Sequence, residues 1–176
     1  MEIYFLRHAS AGDSQLNPAK DEQRPLDEQG IEQSHIVGCG LAALKLKPDA
    51  IIASPLVRAQ QTAAIVAAEL SHKDKIVTDG ALRPGASFES FEQLLARYQG
   101  KEAILFVGHN PSMTEFVNRL VHGEASEAIE MKKGAVARVD QASGSSAMLK
   151  WLMPPKVVRA LQQASARSSR PKTVSK

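Results

Sequence analysis

Short apolar runs alternate along the chain with longer stretches whose apolar residues recur at helical spacing. A short apolar run bounded by polar residues is typical of a buried strand, whereas apolar residues three or four positions apart indicate a helix packed on one face. Because the two kinds of segment alternate, the pattern predicts a mainly parallel sheet covered by helices on both faces. The predicted strands are 3–6, 50–53, 76–77 and 103–107, and the predicted helices are roughly 28–46, 56–70, 88–98 and 111–121.

The pattern changes after the last of these helices. Segments 136–139 and 147–153 have the apolar character of strands, and Ser143-Gly144-Ser145 between them is typical of a turn. Two strands joined in this way form an antiparallel hairpin. We therefore predict an α/β protein with three α/β/α layers and a mainly parallel sheet that has an antiparallel edge.

Three polar signals mark the starts of predicted helices. Asp27 is a suitable N-cap for the helix over 28–46. Ser54-Pro55 and Asn110-Pro111 each combine a capping residue with proline, which is favoured at the first helical position. On the helix after Asp27, helical spacing places four apolar residues toward the core: Ile31, Val37, Leu41 and Leu44.

Composition is that of a globular protein with one folded domain. Of the 176 residues, 43% are hydrophobic and 23% are charged. No apolar run reaches the roughly 18 residues of a membrane span, and the N-terminus lacks the pattern of a signal peptide. The single cysteine, Cys39, cannot form an internal disulfide, and its glycine neighbours suggest a small buried residue and not a nucleophile. These features predict a cytoplasmic protein without membrane association.

The positive charge of the chain is concentrated at its C-terminal end. From Lys156 onward there are six basic residues and no acidic ones, and removing those six from the net charge of +3 leaves the body at −3. Basic residues confined to a tail say little about the folded domain, so we expect no nucleic-acid partner. We predict a folded domain over 1–160 and a basic, disordered tail over 161–176, with a polyanion-binding arm as the alternative for the tail.

Cationic side chains follow three of the predicted strands. Arg7-His8 follows the first strand, Arg58 lies just beyond the second, and His109 follows the strand at 103–107. In open α/β sheets, ligands bind beyond the carboxyl ends of the strands. Guanidinium groups match phosphate oxygens in pairs, and helix N-termini add backbone donors. The sequence therefore predicts a site for a phosphoryl group.

Other candidate sites have simpler interpretations. A metal site is disfavoured, because no Asp, Glu or Cys lies at ligand spacing from His8 or His109 and the two arginines would repel a cation. The remaining histidines have no strand-end neighbours and are expected to have surface or packing roles. They are His35, His72 and His122.

As a set, the motifs resemble those of the histidine phosphatase superfamily, also called phosphoglycerate mutase-like, and within it the SixA-type phosphohistidine phosphatases. The similarity covers about residues 1–160 in the family's order. The motifs are Leu6-Arg7-His8-Ala9, Asp21-x-x-Arg24-Pro25-Leu26-x-x-x-Gly30-x-x-Gln33, Ser54-Pro55-Leu56-x-Arg58-Ala59-x-Gln61-Thr62-Ala63, Leu82-x-Pro84, Val107-Gly108-His109-Asn110-Pro111 and Trp151-x-Met153-x-Pro155.

The resemblance implies roles for the four pocket residues. His8 would be transiently phosphorylated, Arg7 and Arg58 would bind the phosphoryl oxygens, and His109 would donate to the same group in the transition state. No metal or other cofactor would be required, since the cationic side chains supply the electrostatic stabilisation. His8 must be neutral to attack, and we expect the charge of Arg7 to disfavour its protonation.

Three further residues within the motifs have open or modest interpretations. Arg24 either reaches the pocket mouth or stabilises a turn before the helix capped by Asp27. Gln61 and Thr62, on the helix after Arg58, are expected to be packing residues.

The chain shows no evident acid to protonate an alkoxide leaving group. Glu89 and Glu92 are the nearby candidates, although their place in the first turn of a predicted helix is the preferred explanation for both. A phosphohistidine needs no such acid, because it expels an imidazole whose conjugate acid has a pKa of about 6.5. The sequence thus favours a phosphatase acting on a histidine-phosphorylated protein, such as a phosphotransfer domain or related carrier. The alternatives are a small-molecule phosphomonoesterase and a binding module without turnover.

Overall fold

The computed structural model describes residues 1–14, 16–124, 128–142 and 147–168. Its strands are β1 (Glu2–Arg7), β2 (Ala50–Ala53), β3 (Val77–Thr78), β4 (Ala103–Gly108), β5 (Val136–Gln141) and β6 (Ala147–Met153). Its helices are α1 (Pro18–Glu22), α2 (Glu28–Ala43), α3 (Val57–Glu69), α4 (Phe88–Ala96), α5 (Ser112–His122) and α6 (Pro155–Ser168), with a 3-10 turn at Gly80–Leu82.

The strands form a six-stranded sheet in the order β3-β2-β4-β1-β5-β6. The pairs β3-β2, β2-β4 and β4-β1 are parallel, whereas β5 pairs antiparallel with both β1 and β6. This arrangement confirms the predicted α/β class and the antiparallel edge of the sheet. The turn predicted within the hairpin, residues 143–145, lies outside the described residues.

Strands β1, β4 and β2 are neighbours, and their carboxyl ends coincide. Arg7 of β1 is in register with Gly108 of β4, and Ala53 of β2 is in register with Val107. The backbone pairing continues one residue further, because the amide of His8 donates to the Gly108 carbonyl at 2.9 Å. Residues that follow these strands therefore meet at one edge of the sheet.

Each face of the sheet carries its own hydrophobic core, as side-chain alternation along a strand requires. On one face Phe5 packs with Phe91 of α4 and Phe116 of α5. On the other face Leu6 packs with Val37 of α2 and with α3. The central sheet thus lies between two helical layers.

Helix α2 begins as predicted but packs differently. The Asp27 carboxylate accepts a hydrogen bond from the Gly30 amide at 2.7 Å, which confirms the cap. Val37 and Leu41 are buried as predicted, whereas Ile31 and Leu44 are 44% and 55% exposed, so the predicted core positions of these two are wrong. The rest of the buried face of α2 consists of small residues, which let the helix approach neighbouring segments closely: Gly30, Ser34 and Gly38.

Cys39 is exposed, so the expectation that it is buried is wrong. Gly38 lies on the buried face of α2, whereas the Cys39 side chain lies outside it. The Cys39 Sγ is 3.2 Å from a carboxylate oxygen of Glu69. Partial burial and the hydrogen bond to Glu69 raise the pKa of the thiol. A raised pKa disfavours the thiolate, in agreement with the expectation that Cys39 is not a nucleophile.

Helix α6 packs against α2 through Val158, which is buried and lies beside Gly40. Arg159 forms an ion pair with Glu32 at 3.1 Å. The domain boundary predicted at residue 160 falls inside this helix, and 169–176 lie outside the described residues. Within the described part of the chain, no helix is both long and apolar enough to cross a membrane.

Candidate active site

His8 follows β1 and is almost completely buried, with 6% of its surface exposed. Its Nδ1 lies 2.7 Å from the Ala9 carbonyl oxygen. A carbonyl only accepts hydrogen bonds, so Nδ1 carries the proton of the neutral ring. The lone pair is consequently on Nε2, which is the nitrogen available for nucleophilic attack.

The environment of His8 keeps its ring neutral. Burial is the largest cause that lowers the pKa of His8 from 6.5 to about 3. The hydrogen bond to Ala9 opposes this shift, and the charges of Arg58, Arg7 and Arg24 add to it. The expected contribution of Arg7 is therefore present, although desolvation is the larger cause. At neutral pH the nucleophilic lone pair is always available.

Arg7 and Arg58 are both fixed by backbone carbonyls. Arg7 donates through NH1 to the Met131 carbonyl at 2.8 Å. Arg58 donates through NH1 to the Asp21 carbonyl at 2.7 Å, and its NH2 lies 3.1 Å from the Asp21 carboxylate. The Nε of each arginine is buried and has no hydrogen-bond partner.

His109 follows β4, with its ring centroid 4.8 Å from that of His8. Its Nε2 lies 2.8 Å from the hydroxyl of Ser54, while its Nδ1 is buried without a partner. Burial lowers the pKa of His109 to about 2, assisted by His8 and by the two arginines. The ring is therefore neutral, and Nδ1 is the nitrogen left to contact a ligand.

Ser54 is a site residue that was expected to act as a helix cap. Helix α3 begins at Val57 with Leu56 as its N-cap, and no side chain caps it. Ser54 lies just beyond the end of β2, where its hydroxyl contacts Nε2 of His109 and makes no capping hydrogen bond with α3. The capping interpretation of Ser54-Pro55 is wrong for this reason.

Asn110 likewise does not cap the helix that follows it. The N-cap of α5 is Pro111, without a side-chain hydrogen bond. The side-chain amide of Asn110 instead donates to the Met131 carbonyl at 2.9 Å, which is the carbonyl that also holds Arg7. The motif residue thus belongs to the support of the pocket.

The unpartnered buried atoms define what the pocket can bind. In the described part of the chain, buried side-chain nitrogens without a hydrogen-bond partner include Nε of Arg7, Nε of Arg58 and Nδ1 of His109. A buried polar group without a partner is costly, so a cluster of such groups indicates a ligand that satisfies them. The guanidinium nitrogens can only donate, so an anion with several acceptor oxygens fits this cluster.

Residues of α3 hold the backbone that follows the nucleophile. The amide of Ala9 donates to the Thr62 hydroxyl at 3.2 Å, and that hydroxyl donates to the Arg58 carbonyl at 2.8 Å. Gln61 accepts from the Leu26 amide at 2.7 Å. Thr62 and Gln61 therefore form hydrogen bonds with the backbone in addition to packing. Their positions in the motif did not indicate these bonds.

The contacts of Arg24 are structural. It donates to the carbonyls of Ala11 and Gly12, at 2.6 and 3.2 Å, and it pairs with Asp21. These bonds stabilise the segment after β1, while the charge of Arg24 also acts on His8. Asp21 joins Arg24 to Arg58 and was not singled out as a site residue from the sequence.

The candidate acids remain without a role in the pocket geometry. Glu89 lies exposed in the first turn of α4, whose N-cap is Ser87, as the simpler interpretation expects. Glu22, the neighbour of Asp21 in the sequence, forms an ion pair with Arg83 at 2.5 Å. Over the described ranges, no cluster of three His, Cys, Asp or Glu side chains has the arrangement of a metal site.

The structure thus brings together the four side chains predicted from the sequence: Arg7, His8, Arg58 and His109. The charges of the two arginines lower the pKa values of both histidines. Several supporting groups were missed, among them Asp21, Ser54 and the Met131 carbonyl. Ser54 could have been found from its place in the same motif as Arg58. Met131 could not, because it contributes a backbone carbonyl that any residue type would supply.

Comparisons with known proteins agree with this geometry. Residues 3–84 match the family model of the histidine phosphatase superfamily, branch 1. An uncharacterized protein of Picosynechococcus sp. strain PCC 7002 is 32% identical over 167 residues, which cover 88% of this chain and 100% of that protein. The phosphohistidine phosphatase SixA of Escherichia coli strain K12 is 26% identical over 158 residues, covering 88% and 94% of the two chains.

Solved structures show the same fold. The protein histidine phosphatase SixA complexed with tungstate superposes with a TM-score of 0.78 at 25% identity, covering 89% of this chain and 98% of that one. The α-ribazole phosphatase of Shigella flexneri superposes with a TM-score of 0.72 at 19% identity, covering 88% and 97%. The second similarity concerns the fold alone.

Proposed function

The chain belongs to the histidine phosphatase superfamily, and we propose that it is a phosphohistidine phosphatase acting through a covalent phospho-His8 intermediate. One observation carries the proposal. Arg7, Arg58 and His109 each have a buried, unpartnered nitrogen, and all three lie near a neutral histidine whose Nε2 bears a lone pair. This arrangement suits transfer of a phosphoryl group to His8.

In the first step, Nε2 of His8 attacks the phosphorus of the substrate. The new P–N bond forms as the bond to the substrate imidazole breaks, and its electron pair goes to the departing ring nitrogen. The substrate ring leaves as neutral imidazole, provided that its other nitrogen carries a proton. Arg7, Arg58 and His109 stabilise the phosphoryl oxygens during the transfer.

In the second step, water attacks the phosphorus of phospho-His8. The P–Nε2 bond breaks, its electron pair returns to Nε2, and one proton of the water passes to solvent as hydrogen phosphate forms. The Ala9 carbonyl holds the proton on Nδ1 throughout, so His8 also leaves as a neutral ring. Both steps therefore expel imidazole, and neither needs a strong acid.

The leaving group is the reason to favour phosphohistidine over a phosphate ester. An alkoxide requires a proton donor, whereas the candidate acid Glu89 is exposed in the first turn of α4 and the two acids whose charges act on Arg58, Asp21 and Glu22, are paired with arginines. The SixA relatives named above support the same substrate class. We propose a cytoplasmic histidine-phosphorylated signalling protein, such as a phosphotransfer domain, as the partner; a small-molecule phosphomonoesterase is the second candidate.

The test compares substrates and variants in one assay. A phosphorylated histidine phosphotransfer domain and a panel of phosphate esters are offered to the wild type, to His8→Ala and to His122→Ala, which changes an exposed histidine at the end of α5. We expect a higher kcat/KM for the phosphoprotein, abolished by His8→Ala and retained by His122→Ala. Faster turnover of the esters would refute the proposed substrate class.

A further inference from the structure

The segment between α5 and β5 contributes to the pocket through a backbone atom. The Met131 carbonyl accepts hydrogen bonds from NH1 of Arg7 at 2.8 Å and from the side-chain amide of Asn110 at 2.9 Å. The position of this carbonyl therefore sets the orientation of the Arg7 guanidinium. Arg7 is half of the arginine pair that faces the phosphoryl group, so whatever fixes Met131 bears on catalysis.

Two side chains of α5 hold the backbone around Met131. The Thr114 hydroxyl accepts from the Met131 amide at 3.1 Å. The Asn118 carboxamide accepts from the Ile129 amide at 3.1 Å and donates to the Ile129 carbonyl at 2.8 Å. Asn118 therefore pairs with Ile129 through both backbone groups, as a neighbouring strand would.

Asn118 is fully buried, with no exposed surface. A buried carboxamide is costly unless its donors and acceptor are satisfied, and here the amide also donates to the Thr114 carbonyl at 2.8 Å. All these partners are backbone groups of α5 or of Ile129. Its bonds to Ile129 thus attach the segment bearing Met131 to the helix that begins just after His109.

We infer that Asn118 is a positioning residue for Arg7. Its pairing with Ile129 places the Met131 carbonyl, which in turn aims the unpartnered Nε of Arg7 at the phosphoryl group. Displacing a catalytic group by about 1 Å can cost up to roughly 100-fold in rate. The inference rests on the phosphatase site and not on the phosphohistidine substrate, so an aryl phosphate is a sufficient probe and the two proposals can fail separately.

The test is a double-mutant cycle on p-nitrophenyl phosphate hydrolysis. Asn118→Leu keeps the approximate volume and removes all three hydrogen bonds of the side chain. We expect it to lower kcat/KM about 10-fold and to raise the inhibition constant of inorganic phosphate when Arg7 is present. In an Arg7→Ala background, Asn118→Leu should alter both constants less than about twofold, because the guanidinium that Asn118 orients is no longer present. An equal loss in both backgrounds would overturn the inference.

A second pair of variants covers the case in which Asn118→Leu fails to fold. Thr114→Val removes the hydroxyl that holds the Met131 amide, and Thr114→Ser retains it. We expect Thr114→Val to weaken phosphate inhibition and Thr114→Ser to leave it close to the wild-type value. If Thr114→Val also matches the wild type, the positioning role is refuted. Urea unfolding of each variant separates loss of stability from loss of positioning.

Discussion

The hydrogen-bond partners of the two pocket histidines give them complementary proton states. The Ala9 carbonyl fixes the proton of His8 on Nδ1 and leaves Nε2 as a nucleophile. We assign the Ser54 hydroxyl, which accepts from the Leu56 amide at 3.4 Å, as the donor to Nε2 of His109 at 2.8 Å. His109 then carries its proton on Nδ1, where it can donate to the phosphoryl group.

His8 is expected to remain neutral over the whole physiological range. Because its pKa is lowered to about 3, the ring should show no titration between about pH 5 and 8, where an ordinary histidine would titrate. Nitrogen NMR of histidine-labelled protein, with the signals assigned through His8→Ala, checks both this and the Nδ1–H tautomer. A midpoint near pH 6.5 or an Nε2–H tautomer would contradict the assignment of the nucleophilic nitrogen.

Removal of the Ser54 hydroxyl should impair His109 specifically. We expect Ser54→Ala to lower kcat/KM roughly tenfold, since it frees the His109 tautomer, and to have little further effect when combined with His109→Ala. Ser34→Ala is the matched control, because Ser34 is equally buried and bonds only the Gly30 carbonyl within α2. Additive losses from Ser54→Ala and His109→Ala would refute the positioning role of Ser54.

Residues of the site were predictable where an arginine or histidine lies at or just beyond the end of a strand, as for Arg7, His8, Arg58 and His109. They were unpredictable where the contact depends on tertiary approach. Asn118 is an ordinary polar position of a helix until α5 packs beside Ile129. Nothing in its sequence neighbourhood indicates that Ile129 would come within hydrogen-bond reach.

At the scale of elements, helix α2 shows how small residues replace an apolar stripe. Gly30 lies against the Ser10 backbone and Gly38 against Glu69 and Val66 of α3. Close approach buries the helix backbone, so the large residues Ile31 and Leu44 are left at the surface. A pattern based on hydrophobic side chains cannot identify such a face, which explains why those two positions were predicted wrongly.

Gly30→Ala is expected to disturb both the fold and the pocket. A Cβ at this position would lie 1.9 Å from the Ser10 carbonyl oxygen, two residues beyond the nucleophile. We expect the free energy of unfolding to fall by about 1–3 kcal/mol, as for other overpacked sites, with a loss of kcat/KM. Gly80→Ala is the control, since its Cβ would meet no atom within 4 Å. Equal urea midpoints for both variants would contradict this account of the packing of α2.

At the scale of the whole molecule, the candidate active site lies at one edge of the sheet. The α/β class of the fold was predictable from the sequence, whereas the strand order of the sheet was not. Alternation of strands and helices indicates parallel strands but does not say that β4 lies between β2 and β1. That order brings His8, Ser54 and His109 to adjacent positions. The short helix α1 was also missed, because none of its five residues is buried. Helix α6 was missed because its second half has the polar, serine-containing composition of a disordered tail.

Burial of two neutral histidines should make the molecule less stable in mild acid. The pKa values of His8 and His109 are lowered in the folded state, so the unfolded chain binds more protons between their folded and unfolded values. Stability is therefore full above about pH 6.5 and falls as the pH decreases toward 4, by up to roughly 1.4 kcal/mol per pH unit for each histidine. Urea unfolding across this range measures the slope, which should decrease in His8→Asn. A slope that is unchanged in this variant would show that His8 is not the group responsible.

The most direct measurement of the central claim is to trap the phosphorylated enzyme. Wild type, His8→Ala and His109→Ala are mixed with a phosphorylated phosphotransfer domain, quenched in alkali on the millisecond scale and mapped by mass spectrometry. We expect an acid-labile phosphoryl group on His8 in the wild type, slower formation of it in His109→Ala, and none in His8→Ala. Substrate turnover by His8→Ala at the wild-type rate, or a phosphoryl group on another residue, would contradict the account.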